Sequence, residues 1–314
     1  MSPVLPENPH RKALIGTPSN FWLHSTRTGF DLTHPPSASE SPAGPRITIS
    51  TTTSPITISP AKTALVVIDM QNFFLSPLLG RARSSGHDAA DQLVAHAIPA
   101  ARKGGMRVVW LNWGLTDQDM ETMPPAVRRA FGFYAVPEDV VIGGNGSVAV
   151  DKYGQVSEGL YKGLGAEMGV IDGKMGEEID AGRLLWKGAW NSALYPPLDQ
   201  IYHEGEKLKQ RPDVWLHKNR MSGMWGAKTE FEGFLEKEGI KTLFFAGVNT
   251  DQCVGGTLTD AFSKGYDCVL LSDGCGTTSP KSAQECFEYN AAKTYGFCTT
   301  CEELAKGVYS ESSV

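Results

Sequence analysis

From residue 62 onward the chain alternates short, continuous apolar runs with stretches whose apolar residues recur every three or four positions. The run ALVVI (64–68) ends in Asp69 and predicts a central parallel strand buried on both faces, because a strand with one wet face would alternate apolar and polar residues. Leu93, Val94, Ala97, Ile98 and Ala101 then fall at helical spacing, with Asp88 as a candidate cap and Gly104-Gly105 as the stop. MRVVWLN (106–112) predicts the second strand and VWLH (214–217) a short third. Thr229 and Glu232 have capping-box spacing ahead of a helix carrying Phe231, Phe234 and Leu235, which ends at Gly239. KTLFFAG (241–247), DCVLLS (267–272) and FCT (297–299) predict the last three strands. Between them lie a helix from Cys253 (apolar at Val254, Leu258, Ala261 and Phe262) and another opened by Ser279-Pro280.

Strands alternating with helices imply an α/β fold with a parallel sheet and right-handed crossovers. Ligands bind such sheets at the carboxyl ends of the strands. Asp69, Lys218 and the turn before Cys253 all follow strand ends, so three unlike reactive residues converge on one edge.

Two regions depart from this rhythm. Residues 1–60 are rich in Pro, Ser and Thr and predict a partly irregular N-terminal arm; the TISTTTSPITIS run (48–59) is strand-prone, with pairing across a subunit interface or plain disorder as the readings. Residues 61–314 would form the main domain, with an insertion of about 115–212. So long a connection carries function or structure of its own. Its Trp- and Tyr-rich segment LLWKGAWNSALYPPL (184–198) is read as a wall or lid over the site, or as a packing element.

Composition narrows the class. A 314-residue chain with 41% hydrophobic and 20% charged residues can bury a large core. A net charge of −6 gives no electrostatic case for nucleic acid or an anionic membrane. No apolar run is long enough to span a bilayer, and the opening MSPVLPENPHRK lacks the apolar stretch of a secretory signal. The six cysteines (253, 268, 275, 286, 298 and 301) crowd the last part of the chain, a poor framework for disulfides. Reduced thiols and a cytoplasmic location are the expectation.

Cys253 is the candidate nucleophile. A helix N-terminus supplies positive potential and free N–H groups, which favour a thiolate and an oxyanion. The alternative is a buried structural thiol. Asp69, at the end of an apolar strand, needs a partner and would serve as proton acceptor and donor; alternatively it caps a loop. Lys218 would lower the thiol pKa and orient the carboxylate, unless it is simply a solvated charge. Candidate pocket residues are Phe74, Asn112, Trp113, Trp186, Trp190, Tyr195, Trp225 and Gln252, with Arg220 as a partner for a substrate carboxylate or for an acidic residue of the protein itself. Cys298-x-x-Cys301 lacks the second pair that a zinc site requires.

The runs TALVVIDMQNFF, HKNRMSGMWG and FFAGVNTDQCVGGTLTDAFSKGYDCVLLSDGCGTTSP, in that order, resemble the three motifs of the isochorismatase-like cysteine hydrolase superfamily, which includes N-carbamoylsarcosine amidohydrolases, ureidoacrylate hydrolases, biuret hydrolases and nicotinamidases. The resemblance covers roughly residues 62–300. It implies a three-layer α/β/α fold with a mostly parallel six-stranded sheet, and a triad of Cys253 as nucleophile, Asp69 as general base then acid, and Lys218 as electrostatic partner. It also implies a cis peptide at Val248-Asn249, an oxyanion site from the N–H groups of Asn249 and Cys253, and a homodimer or homotetramer. Where metal-binding nicotinamidases carry Asp-x-His-x-x-His, this chain reads NWGLTD (112–117), so no metal and no other cofactor is expected. The retained cysteine favours cleavage of an amide or ureido C–N bond in a small molecule. Vinyl-ether hydrolysis and a non-catalytic oligomeric binding protein are the alternatives.

Overall fold

The computed structural model describes residues 10–311 except 41 and 158, so the first nine residues of the expected arm lie outside the described residues. Five strands come from the arm: β1 (Lys12–Thr17), β2 (Asn20–Ser25), β3 (Gly29–Leu32), β4 (Ile47–Ile49) and β5 (Ile56–Ile58). They form one sheet, ordered β1-β2-β3-β5-β4. In β4 and β5 the isoleucines alternate with threonines, so Ile47, Ile49, Ile56 and Ile58 are buried and the threonines between them are not. These isoleucines share a core with Leu304 and Val308 of the C-terminal helix Cys301–Glu311. The strand-prone arm therefore pairs within its own chain and packs on its own body.

The central sheet is built from β6 (Thr63–Ile68) and β7 (Arg107–Trp113) and, beyond the insertion, from four more strands. The insertion holds two short hairpins, β8 (Phe133–Ala135) with β9 (Val148–Val150) and β10 (Val170–Asp172) with β11 (Glu178–Asp180). Then follow β12 (Val214–Lys218), β13 (Thr242–Val248), β14 (Asp267–Gly276) and β15 (Gly296–Thr299). The order is β12-β7-β6-β13-β14-β15 and every pairing is parallel. All six expected strands are present.

Both faces of the sheet are covered. Every residue of β6 is buried, with Leu65 and Val67 in one core and Ala64, Val66 and Ile68 in the other. On the first face lie the Cys301–Glu311 helix, β4 and β5, and a long helix made of Ser85–Gln92, a π turn at Leu93–Ala97, and Ile98–Gly104. On the second lie Glu230–Glu238 and Gly255–Ser263. Two local expectations change. Ser84, rather than Asp88, caps the long helix, and Asp88 pairs with Arg83 on the surface. Thr229 accepts from the Glu232 N–H as expected, while the Glu232 carboxylate turns to Lys264 instead of closing the box.

Successive strands are laid down outward from β6 to β12 on one side and from β13 to β15 on the other. The direction of winding reverses between β6 and β13, and this reversal opens a crevice at their carboxyl ends. Asp69 leaves β6 there, and the Cys253 turn leaves β13. Gly247 lets the two strands approach: its φ is +115°, and a Cβ would lie 2.0 Å from the Ile68 carbonyl oxygen.

Candidate active site

Asp69 is fully buried, with φ +54°, just past the last residue of β6. One carboxylate oxygen, Oδ1, accepts from the Trp113 backbone N–H at 3.0 Å. The other, Oδ2, lies 2.9 Å from Lys218 Nζ. Lys218, the last residue of β12, also donates to the Arg220 carbonyl at 3.0 Å and stands 4.1 Å from the centre of the Trp113 ring. An apolar strand that ends in an aspartate would bury an unpaired charge. The neighbouring strands β7 and β12 supply the N–H group and the ammonium that offset it.

Cys253 lies in a π turn, Thr250–Val254, that runs directly into the Gly255–Ser263 helix. It is 4% exposed, its sulfur is 3.5 Å from Met221 Sδ, and the charges of Asp69 and Lys218 both act on its thiol. The Val248-Asn249 peptide just before the turn is cis. Burial pushes the Cys253 thiol up to about 12; Lys218 pulls the other way but does not prevail. Lys218 thus lowers the thiol pKa as expected, while burial acts in the opposite sense and is the larger cause. Burial likewise raises Asp69 above the usual carboxylate range, against the pull of Lys218 and the Trp113 N–H. A thiol held protonated beside a carboxylate suits proton transfer during attack rather than before it.

Cys253 opens on a cavity of about 320 Å³. Phe74, Asn249 and Gln252 line it, as do Phe131, Tyr153 and Tyr161 from the insertion. Phe74 and Gln252 therefore reach the cavity. The other pocket candidates do not line it. Trp113 is fully buried, and its ring packs against the Lys218 ammonium. Asn112 is buried with no partner for its amide; side chains alternate along β7, which sends it to the face opposite Trp113. Trp186 stacks under Arg183 at 3.3 Å, and Tyr195 meets His87 edge-on at 5.4 Å. Trp190 contributes a backbone carbonyl to Asn72. Arg220 is turned away, donating to the carbonyls of Asn219 and Thr122 and lying 4.6 Å from the Trp225 ring, which is 52% exposed. The insertion does wall the site, but through residues 130–161 and not through its tryptophan-rich end. No run of apolar periodicity marks 130–161; its one cue is aromatic residues among glycine turns.

The described residues contain no group of three or more His, Cys, Asp or Glu side chains arranged to hold a metal ion, and all six cysteines are free. No helix among the described residues is long and apolar enough to cross a membrane.

The structure is a three-layer parallel α/β fold that brings Cys253, Asp69 and Lys218 together at its winding reversal. Residues 183–303 match the isochorismatase domain, so that part of the chain is similar to the isochorismatase-like hydrolases. Among curated proteins the chain is similar to the ureidoacrylate amidohydrolase RutB of Azorhizobium caulinodans, 28% identical over 256 residues that span 80% of this chain and 92% of that protein. Among solved structures it resembles a cysteine hydrolase from Pseudomonas syringae pv. phaseolicola, with TM-score 0.55 and 17% identity over 86% of this chain and 99% of the other. It also resembles the nicotinamidase PncA from Bacillus subtilis, with TM-score 0.51 and 19% identity over 76% and 99%. At these identities the structural likeness speaks for the fold alone.

Proposed function

We propose that the protein hydrolyses an amide or ureido C–N bond of a small molecule, with Cys253 as nucleophile, Asp69 as proton carrier and Lys218 as electrostatic partner. The observation that carries this reading is the buried 2.9 Å Lys218–Asp69 pair, whose charges act on the Cys253 thiol at the wall of a cavity. The similarity to an amidohydrolase over most of both chains supports the bond type.

The chemistry follows from the protonation states. Asp69 takes the thiol proton as sulfur attacks the carbonyl carbon, so a thiolate is never exposed to the apolar site. The carbonyl oxygen becomes an oxyanion held by the N–H groups of Asn249 and Cys253. As the C–N bond breaks, the proton on Asp69 passes to the leaving nitrogen, which departs as amine or ammonia. A water then attacks the thioester, gives one proton to Asp69 and releases the acid, and the proton returns to sulfur. From a ureido group the released acid is a carbamic acid, which decomposes to CO2 and the nitrogen it kept: ammonia where the amine left first, the amine where ammonia did. Lys218 stays charged throughout and holds Asp69 in place.

The test is ammonia release from a panel of small amides and ureido compounds by the wild type and by Cys253→Ala. Release that vanishes in the variant supports the reading. No ammonia release, with turnover of a vinyl ether that survives the loss of sulfur but not the loss of Asp69, would instead mean ether-type hydrolysis. A wild type that turns over no compound yet binds one with the same affinity as Cys253→Ala would mean a binding protein.

A further inference from the structure

The cavity at Cys253 does not end at the catalytic cluster. Past Phe74, Tyr161, Asn249 and Thr278, which line both spaces, lies a second cavity of about 230 Å³, and its wall includes Arg81. Arg81 is half-buried and fixed from several sides. Its Nε donates to the Phe73 carbonyl at 2.9 Å and its Nη2 to the Tyr161 hydroxyl at 3.4 Å. The guanidinium lies 5.1 Å from the Phe73 ring centre and 5.4 Å from that of Tyr161.

What Arg81 lacks is a counter-charge. No carboxylate among the described residues pairs with it, whereas Arg83, two positions on, is bridged to Asp88 and Asp91 at 2.7 Å each. A guanidinium has five N–H groups, and two of those on Arg81 are engaged. The acidic side chain on the Cys253 cavity wall is Asp151, and its Oδ1 is spent on the backbone N–H groups of Tyr153 and Gln155 at 2.8 and 3.0 Å. The Cys253 cavity wall thus carries Asp151 beside Lys152, one charge of each sign, whereas the second cavity's lining includes one charged side chain, the cation Arg81.

We infer that Arg81 is the specificity residue that binds a carboxylate at the far end of the substrate, so that the substrate is an amide or ureido acid: its scissile carbonyl at Cys253, its carboxylate at Arg81. A planar carboxylate matches the guanidinium fork, and the clamp by Phe73 and Tyr161 leaves little side-chain freedom to lose on binding. Thr277 and Thr278 line the same cavity. This inference rests on the hydrolase reading above for what happens at Cys253, but not for the binding of the anion.

The experiment compares ureidoacetate, 3-ureidopropionate and 4-ureidobutyrate, each with its uncharged carboxamide, as substrates of wild type, Arg81→Gln and Arg81→Lys. Arg81→Gln should raise KM for the preferred acid roughly 10- to 100-fold, the range expected for a charge-assisted hydrogen bond, with kcat changed about twofold or less and the carboxamide's KM unmoved. Arg81→Lys should restore part of the loss. A parallel calorimetric titration uses the same acids with Cys253→Ala and with the Cys253→Ala, Arg81→Gln double variant, which needs no turnover. Arg81-dependent binding without ammonia release from the wild type keeps this inference and sinks the hydrolase reading. Hydrolysis of acids and carboxamides alike, or binding indifferent to Arg81 throughout the series, overturns the inference and leaves the hydrolase reading standing. An equal loss of kcat and KM performance on both members of each pair marks Arg81 as structural and overturns it too.

Discussion

Lys218 Nζ lies 2.9 Å from Asp69 Oδ2, and both side chains are withdrawn from water. A pair so buried adds little net stability while intact, but removing one partner strands the other. Lys218→Met should therefore lower stability by about 3 kcal/mol at neutral pH, read by urea denaturation. The sign with pH is fixed. Without the ammonium the folded-state pKa of Asp69, already raised by burial, rises further. The variant is then closest to wild-type stability at low pH, where Asp69 is protonated, and loses ground as pH climbs through that raised value. An Asp69→Asn, Lys218→Met double variant should recover part of the loss; simple additivity would contradict the coupling.

The thiol's state gives a second prediction. Because burial holds Cys253 at about 12, iodoacetamide should modify the free enzyme slowly at neutral pH, with a rate that keeps rising beyond pH 9 and shows no neutral plateau. The base has its own signature. Asp69 is raised above its usual value, so the acid limb of kcat/KM should fall at a pH above that of an ordinary aspartate. Asp69→Asn should cost about 10²- to 10⁴-fold in kcat. A thiol that alkylates with a plateau near pH 7 would refute the picture of proton transfer during attack.

Gly247 carries the third. Its φ of +115° and the 2.0 Å contact a Cβ would make with Ile68 O leave no room for any side chain. Gly247→Ala must push β13 from β6 where Asp69 and the Cys253 turn diverge. It should lower stability by roughly 2 kcal/mol or more and reduce kcat disproportionately, since displacement by about 1 Å spoils a catalytic geometry. Circular dichroism melting and ammonia release, measured together, check it.

How far the sequence announced this structure differs by element. The six central strands are readable because a strand buried on both faces is a bare apolar run such as ALVVI, and the candidate triad because each member follows such a run. The pocket wall was not readable. Phe131, Tyr153 and Tyr161 sit among turns whose conformation depends on distant contacts, so no local period announces them. The tryptophans at 186 and 190 misled for a physical reason: a large ring meets the needs of packing and of a cavity wall equally well, and composition cannot separate the two. Arg220 misled likewise, since backbone carbonyls can satisfy a guanidinium as a substrate would. Arg81 passed unnoticed because it precedes a helix in an ordinary polar stretch, and only the cavity gives it meaning.

The N-terminal sheet yields the last prediction. It is clasped to the body through Asp267, the first residue of β14, which is 2% exposed. The Asp267 carboxylate accepts from Trp22 Nε1 at 2.6 Å and from Thr242 Oγ1 at 2.7 Å, and His34 Nε2 lies 2.7 Å from it. Two of the three come from the arm. Asp267→Ala leaves buried donors without an acceptor, at about 1–3 kcal/mol for each one that water cannot reach, and should destabilise the protein by about 2–4 kcal/mol. Asp267 opens its strand at the amino end, whereas the candidate triad lies at the carboxyl ends of the sheet. Protease should accordingly cut within residues 10–60 more readily in the variant, while kcat below the melting range stays close to wild type. A fall in kcat in step with the fall in stability would show instead that the arm shapes the site from across the sheet.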